Sequence, residues 1–307
     1  MEAQNQTIVT EILLLGFQQL DCFRIPIFLM FLIIYCLTLV ANVMIITLVT
    51  LSQHLHSPMY FFLSHLLLSD ILLTTNIVPN MLKVILRQGS TIPLSGCITQ
   101  VHFFGTSLAA ECLLLTVMSY DRYLAVCKPL HYSTIMNYNL QLKLVIGYWS
   151  ISSLISIIAA FLISQLHFCH SNMINHFFCD LAPLLELSCS DTFAIDLDNS
   201  LQATPLTIFP IVFISATYVR IFKSILKIQS TIGIQKAFST CTSHLTVVCI
   251  FYGTLFTLYV VPSKGQLLKV NKILSLMYTV VTPLFNPLIY SIYEIKTALR
   301  KYVKKIS

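Results

Sequence analysis

Residues 25–50 read IPIFLMFLIIYCLTLVANVMIITLVT, a run without a single charged side chain. As a helix rising 1.5 Å per residue, about 20 mainly apolar residues cross the roughly 30 Å hydrocarbon layer of a bilayer. A run this long is beyond what the core of a soluble domain asks for, so its length names lipid as the solvent. Six further windows of the same kind follow: Pro58 to Ile85, Gly96 to Tyr123, Leu142 to Ser164, Ala203 to Ile225, Phe238 to Val261 and Ile273 to Tyr293. The predicted fold is an all-α integral membrane protein, a bundle of seven transmembrane helices. Composition agrees, with 10% charged and 56% hydrophobic residues over 307 positions and a mean hydropathy of +0.82, where soluble domains keep about a quarter of their residues charged. Met1 to Leu20 lack the basic start and small-residue cleavage site of a secretory signal, so the first span is expected to serve as the targeting signal itself.

Seven crossings put the two ends on opposite sides, and the positive-inside rule says which is which. Of the 18 Lys and Arg residues, 12 fall in one set of alternate loops and the C-terminal tail: Arg122, Lys128, Lys143, Arg220, Lys223, Lys227, Lys236, Lys296, Arg300, Lys301, Lys304 and Lys305. That side is read as cytoplasmic and the N-terminus as outward. The organisation predicted is an outer N-terminus over 1–24, a seven-helix domain over 25–293 with the outer loop 165–202 as a lid, and a basic cytoplasmic tail over 294–307. Asn5-Gln6-Thr7 then becomes a candidate glycosylation acceptor on the outer side.

Of the ten cysteines, Cys36, Cys112 and Cys249 lie inside apolar windows, where a buried thiol is ordinary. Cys97, Cys169, Cys179 and Cys189 fall together on the outward face, where bridges can form, and four cysteines allow three pairings. The segment His167 to Asn199 is long for a connection and acidic, with Asp180, Glu186, Asp191, Asp196 and Asp198. Bridges would hold it as a cap rather than a free loop.

Charges near the bilayer centre cost about 2.5–3.5 kcal/mol on insertion scales, so those that occur face the protein interior and have partners. Asp70 in the second window and Glu111 in the third, with Asn42 and Asn286, form one candidate polar cluster. It reads either as a sodium or proton site at Asp70 and Glu111 or as a hydrogen-bonded knot that fixes helix register. Asp121-Arg122-Tyr123 ends the third window with an acid beside a guanidinium, a pair that can hold the Arg in one state and release it in another. In the seventh, Asn286-Pro287 with Tyr290 offers a proline that removes a backbone hydrogen bond, next to an amide able to serve the freed group.

Together, Asn42, Asp70, Asp121-Arg122-Tyr123, Trp149 and Asn286-Pro287-Leu288-Ile289-Tyr290, each in its own helix, resemble the rhodopsin-like G-protein-coupled receptors. Four longer runs narrow this: PMYFFLS (58–64), MSYDRYLAVC (118–127) followed by PLHY (129–132), KAFSTCTSHL (236–245) and HFFCD (176–180) look like the signature segments of odorant receptors. The sequence departs from that pattern at Ala41 and Ser119, and the run from Ser291 to Glu294 is about two residues short of the family's usual junction.

The resemblance implies that Cys97 bridges Cys179, that Cys169 bridges Cys189, and that Cys22 stays unpaired. It implies a ligand site offered by Phe104, Gly105, Leu108 and Ala109 of the third helix, Phe251, Tyr252, Leu255, Phe256 and Tyr259 of the sixth, and Leu276 and Thr279 of the seventh. Such a lining suits a small, mainly apolar odorant with one hydrogen bond from Tyr252, Tyr259 or Thr279. For a ligand of roughly 10 heavy atoms at about 0.5–0.7 kcal/mol each, affinity is micromolar to millimolar. Phe104 stands where amine-binding receptors carry an acid. On activation Arg122, Tyr218 and Tyr290 would rearrange for a stimulatory heterotrimeric G protein that raises cAMP, with no cofactor beyond a possible bound sodium and no nucleic-acid partner. A transporter would show internal repeats with matching broken helices, and an enzyme a nucleophile with its base or a zinc motif. Neither pattern occurs in this sequence.

Overall fold

The computed structural model describes residues 9–17, 23–52, 56–169, 171–227, 231–260 and 267–290. Asn5, Cys22, the junction after Tyr290 and the basic tail lie outside the described residues, as does the side chain of Tyr259. In chain order the elements are β1 (Glu11–Leu14), α1 (Arg24–Leu51), α2 (Pro58–Arg87), β2 (Ser90–Pro93), α3 (Leu94–Cys127), the one-turn α4 (Tyr132–Ile135) and α5 (Tyr138–Ser164). After these come β3 (Met173–Ile174), the short α6 (Leu181–Leu185), α7 (Phe193–Ile225), α8 (Thr231–Val260), α9 (Leu267–Leu276) and a π-helical turn, Met277–Val281.

Lipid supplies no hydrogen bonds, so a spanning segment must satisfy its backbone internally. Among the described residues, six helical stretches are long and apolar enough to cross: α1, α2, α3, α5, α7 and Asn271–Tyr290, while α8 carries a shorter apolar stretch, Cys241–Thr257. α1 leaves Ile33, Leu37, Val40, Met44 and Leu48 exposed, which is the side-chain chemistry of a surface wetted by acyl chains. One boundary departs from expectation. α7 begins at Phe193 rather than near residue 203, because the acidic run is a helix start and not a loop. Asp191 accepts from Phe193 N–H at 2.9 Å, Thr192 Oγ1 donates to Asp196 Oδ2 at 2.9 Å, and Asp196 sits in the first turn, where carboxylates complement the helix dipole.

The chain divides into two compact units. The first comprises Met1–Cys36, Leu72–Ala109 and Trp149–Thr204. Its centre is a three-stranded sheet in the order β2-β1-β3, with β1 antiparallel to β2 (Glu11 opposite Pro93) and parallel to β3 (Leu13 opposite Met173). Alternation along β1 sends Ile12 and Leu14 into a core with Val84, Cys97, Ile163 and Ile174. Gly16, at φ +60°, lets the chain turn after β1 where a Cβ would collide with Val84.

The second unit comprises Leu37–Ile71, Ala110–Tyr148 and Pro205–Ser307. In it α9 and the π turn pack on α8. The wide turn lies just ahead of Pro283, whose ring would otherwise meet the carbonyl four residues back, and Thr282 Oγ1 donates to Met277 O at 3.1 Å.

Candidate functional site

Three polar side chains from separate stretches of the second unit come together, Asn286, Asp70 and Glu111. Asn286 donates its amide to both carboxylate oxygens of Asp70, at 3.1 and 3.0 Å, and Asp70 is fully buried. Glu111 is nearly as buried, accepts from Ser69, lies close enough to Asp70 to feel its charge, and has one oxygen, Oε1, without a hydrogen-bond partner. Asn42 goes elsewhere. Its Nδ2 donates to Thr38 O at 2.8 Å and to Pro283 O at 3.1 Å. Pro287 lacks the N–H that would have served Pro283 O four residues earlier. The freed carbonyl is therefore capped by Asn42 of α1. The expectation that the neighbouring amide, Asn286, serves it is corrected: that amide is committed to Asp70.

At the end of α3, Arg122 Nη2 donates to Asp121 Oδ2 at 2.8 Å, and the other carboxylate oxygen accepts the Tyr132 hydroxyl of α4 at 2.8 Å. Asp121 is fully buried and Arg122 is 8% exposed, so this is a desolvated pair held in register by a third group. Burial and the Asp121 charge push the Tyr132 hydroxyl's pKa upward, which keeps it a donor. Tyr123 carries the Arg220 guanidinium 6.0 Å from its ring centre.

Arg122 also lies near enough to Tyr218, His244 and Tyr290 for its charge to act on each. His244 Nε2 is 3.1 Å from Leu115 O, an atom that can only accept, so Nε2 carries the proton. Nδ1 then accepts the Tyr218 hydroxyl at 2.7 Å. This chain ties α3, α8 and α7 together through one imidazole. The buried Tyr290 hydroxyl has no hydrogen-bond partner.

In the first unit, disulfides join Cys97 to Cys179 and Cys169 to Cys189, with Cα separations of 5.4 and 5.9 Å. Gln100, one turn beyond Cys97, accepts the Cys179 N–H at 2.8 Å. Its Nε2 donates to Asn76 O at 2.9 Å, and Asn76 Nδ2 returns a bond to Gln100 O at 2.9 Å. The segment around Cys179 is thus located twice, by sulfur and by an amide. Phe178 packs on Phe104 with ring centres 5.5 Å apart, His176 lies edge-on to Phe178 at 4.6 Å, and Phe177 stacks on Phe17 at 5.5 Å. Asp180 caps α6 by accepting from Leu181 N–H at 2.8 Å, while burial pushes its carboxyl pKa upward.

The ligand residues named from the sequence are placed as follows. In the first unit Phe104, Gly105 and Leu108 are half-buried and Ala109 is buried. Gly105 has a packing reason of its own, since a Cβ there would come 2.9 Å from Ser156 Oγ of α5. In the second unit Tyr252, Leu255 and Thr279 are buried, Leu276 is half-buried, and Phe256 is 66% exposed. The Tyr252 hydroxyl donates to Cys112 O at 3.3 Å and the Thr279 hydroxyl to Ser275 O at 2.6 Å, so both have already given their proton inside the protein. Among the described residues, no group of three or more His, Cys, Asp or Glu is disposed to hold a metal ion.

Sequence reasoning gave Gln100 and Asn76 no role, and Tyr132 and His244 none beyond their motifs. The signal for the first two was present, because an amide inside an apolar window needs a partner.

A profile of the family described as Olfactory receptor matches residues 31–306. The chain is 45% identical to Olfactory receptor 11L1 of Homo sapiens over 307 residues, covering 99% of this chain and 95% of that one. It is 45% identical to Olfactory receptor 5G3 of Homo sapiens, with 99% and 98% covered, and 44% identical to Olfactory receptor 5p57 of Mus musculus, with 99% and 98% covered.

Proposed function

Since the chain belongs to the olfactory receptor family, multi-pass plasma-membrane proteins that are not enzymes, we propose that it binds a small, mainly apolar odorant and activates a stimulatory heterotrimeric G protein to raise cAMP. In this reading the chain crosses the membrane seven times with its N-terminus outside, Asn5 on the glycosylated side and the basic tail in the cytoplasm. Ligand contacts come from Phe104, Gly105, Leu108 and Ala109 and from Tyr252, Leu255, Phe256, Tyr259, Leu276 and Thr279.

The observation that carries the coupling reading is the shared carboxylate of Asp121, which holds Arg122 through one oxygen and Tyr132 through the other. An odorant that binds a second conformation better shifts the population toward it. Arg122 is then released toward the nearby Tyr218 and Tyr290, and the unmet Tyr290 hydroxyl is a ready acceptor for it. A guanidinium freed in this way is the group a G protein engages.

The carboxylates Asp70 and Glu111 fit a small hard cation, because Glu111 Oε1 is a buried oxygen with no donor. A sodium ion there would be held by those two side chains with Ser69, and losing it would accompany activation. Arg122→Ala is expected to abolish odorant-evoked cAMP while surface level stays unchanged. A normal response from that variant sinks the coupling assignment.

A further inference from the structure

Two side chains on one face of α9 have hydrogen-bonding capacity that nothing among the described residues uses. Ser275 is 1% exposed and its hydroxyl has no partner, and one turn earlier Asn271 has a buried Oδ1 that also has none. Residues four apart on a helix stand about 5–6 Å apart at Cβ, so one oxygen atom between them reaches both. α9 packs against α8, the helix that supplies Tyr252 and Leu255. The hydroxyls that the sequence nominated for ligand recognition in this unit are spent: that of Thr279 on Ser275 O, that of Tyr252 on Cys112 O. A buried polar atom left unmet is destabilising, and that cost is recovered by whatever ligand supplies the missing bond.

We infer that Ser275 and Asn271 form the polar end of the odorant site and that they select an alcohol. The inference rests on the odorant-receptor reading above and gives it a ligand class. A ligand hydroxyl donates to the Asn271 oxygen and accepts from the Ser275 hydroxyl, satisfying both atoms with one group. Turning the Asn271 amide over changes only the sense of that bond, since an alcohol oxygen both donates and accepts. A carbonyl compound accepts from Ser275 and has no proton to give, an ether does the same with more bulk, and a hydrocarbon leaves both atoms unmet. Sites built to hydrogen-bond a hydroxyl discriminate against analogues lacking it far more sharply than apolar pockets discriminate by size.

The test expresses the full chain in cells with a stimulatory G protein and a cAMP reporter, verifies surface arrival, and applies sets of compounds sharing one carbon skeleton: the free alcohol, its methyl ether, the aldehyde and the hydrocarbon. The alcohol is expected to act at a concentration about tenfold or more below the ether, tenfold being about 1.4 kcal/mol. Ser275→Ala should raise the alcohol EC50 by about tenfold while moving the ether's much less, and Asn271→Leu should act in the same direction. An ether or hydrocarbon as potent as its alcohol on the unsubstituted receptor overturns the inference, with no variant required to fold, and leaves the receptor reading standing. An alcohol preference that survives both substitutions overturns the assignment to this pair. Silence toward every compound from a receptor shown at the surface overturns the inference and the ligand reading together.

Discussion

The two units are held together by different means. In the first, two disulfides, a sheet ladder and the Gln100–Asn76 exchange locate the chain through backbone groups and covalent bonds. In the second, α1, α3, α4, α7 and α8 are joined at their polar points by single side-chain contacts, and several participants keep an unused atom: Asn42 Oδ1, Glu111 Oε1, the Tyr290 hydroxyl. A fully satisfied network is stiff because any displacement breaks a bond. A network with spare acceptors offers a second arrangement at similar energy, which is what a population shift needs. Buried polar atoms without a partner occur in the first unit as well, at His102 Nδ1, Thr106 Oγ1 and Ser152 Oγ, so the contrast teaches that covalent and backbone anchoring, more than satisfaction of every polar atom, separates scaffold from switch in this molecule.

Four substitutions bear on that contrast, in falling order of effect. Cys97→Ser removes a bridge from the first unit, where loss of a native disulfide typically costs about 2–5 kcal/mol; surface staining should fall to a small fraction of the parent level, and normal display would break the view of this unit as a covalent scaffold. Gln100→Leu strands the Cys179 N–H and the Asn76 carbonyl, a loss of about 1–3 kcal/mol, seen as a lowered thermal midpoint of detergent-purified protein. An unchanged midpoint would mean that the sulfur alone locates the segment. Asp70→Asn in the second unit keeps a partner for Asn286 and removes a charge beside Glu111; surface level should hold while the odorant dose-response shifts several-fold, and a folding defect instead would place the cluster with the scaffold. Tyr132→Phe deletes one hydrogen bond to Asp121, about 0.5–1.5 kcal/mol, and should raise basal cAMP a few-fold. A basal level equal to the parent's would show that Arg122 needs no third group to stay paired.

Much of this is legible in the sequence. Apolar length marks where the chain leaves water, so the windows agree with the helices except where a local interaction overrules composition. The acidic stretch from Asp191 looks like a loop by polarity, yet its carboxylates suit a helix start, and only the placement of Thr192 and Asp196 shows that they are used so. Residue types marked Asp70, Glu111, Asn42 and Asn286 as polar groups inside apolar windows that need partners. They could not say which amide serves which oxygen, because that depends on helix rotation: Asn286 turns to Asp70 and leaves Pro283 O to a residue 241 positions away. The ligand residues show the same limit. Tyr252 and Thr279 are the chemically attractive hydroxyls in sequence, and geometry has each of them donating to a backbone carbonyl, while Ser275 had no feature to distinguish it from any other serine in an apolar run.

The strand order β2-β1-β3 has a consequence for how the molecule is made. β1 is the first of these strands to leave the ribosome and the middle one in the sheet, so both its edges wait for sequence that does not yet exist. Its antiparallel partner arrives only after α2, and its parallel partner only after α3 and α5. Pairings this distant in sequence close late, because the intervening chain must be ordered first. Ile12 and Leu14 stay uncovered during that interval, and their disappearance from solvent reports that Val84, Cys97, Ile163 and Ile174 have closed around them. The N-terminal strand thus acts as a seal on a finished product, and any probe that senses Ile12 would distinguish matured receptor from nascent chain.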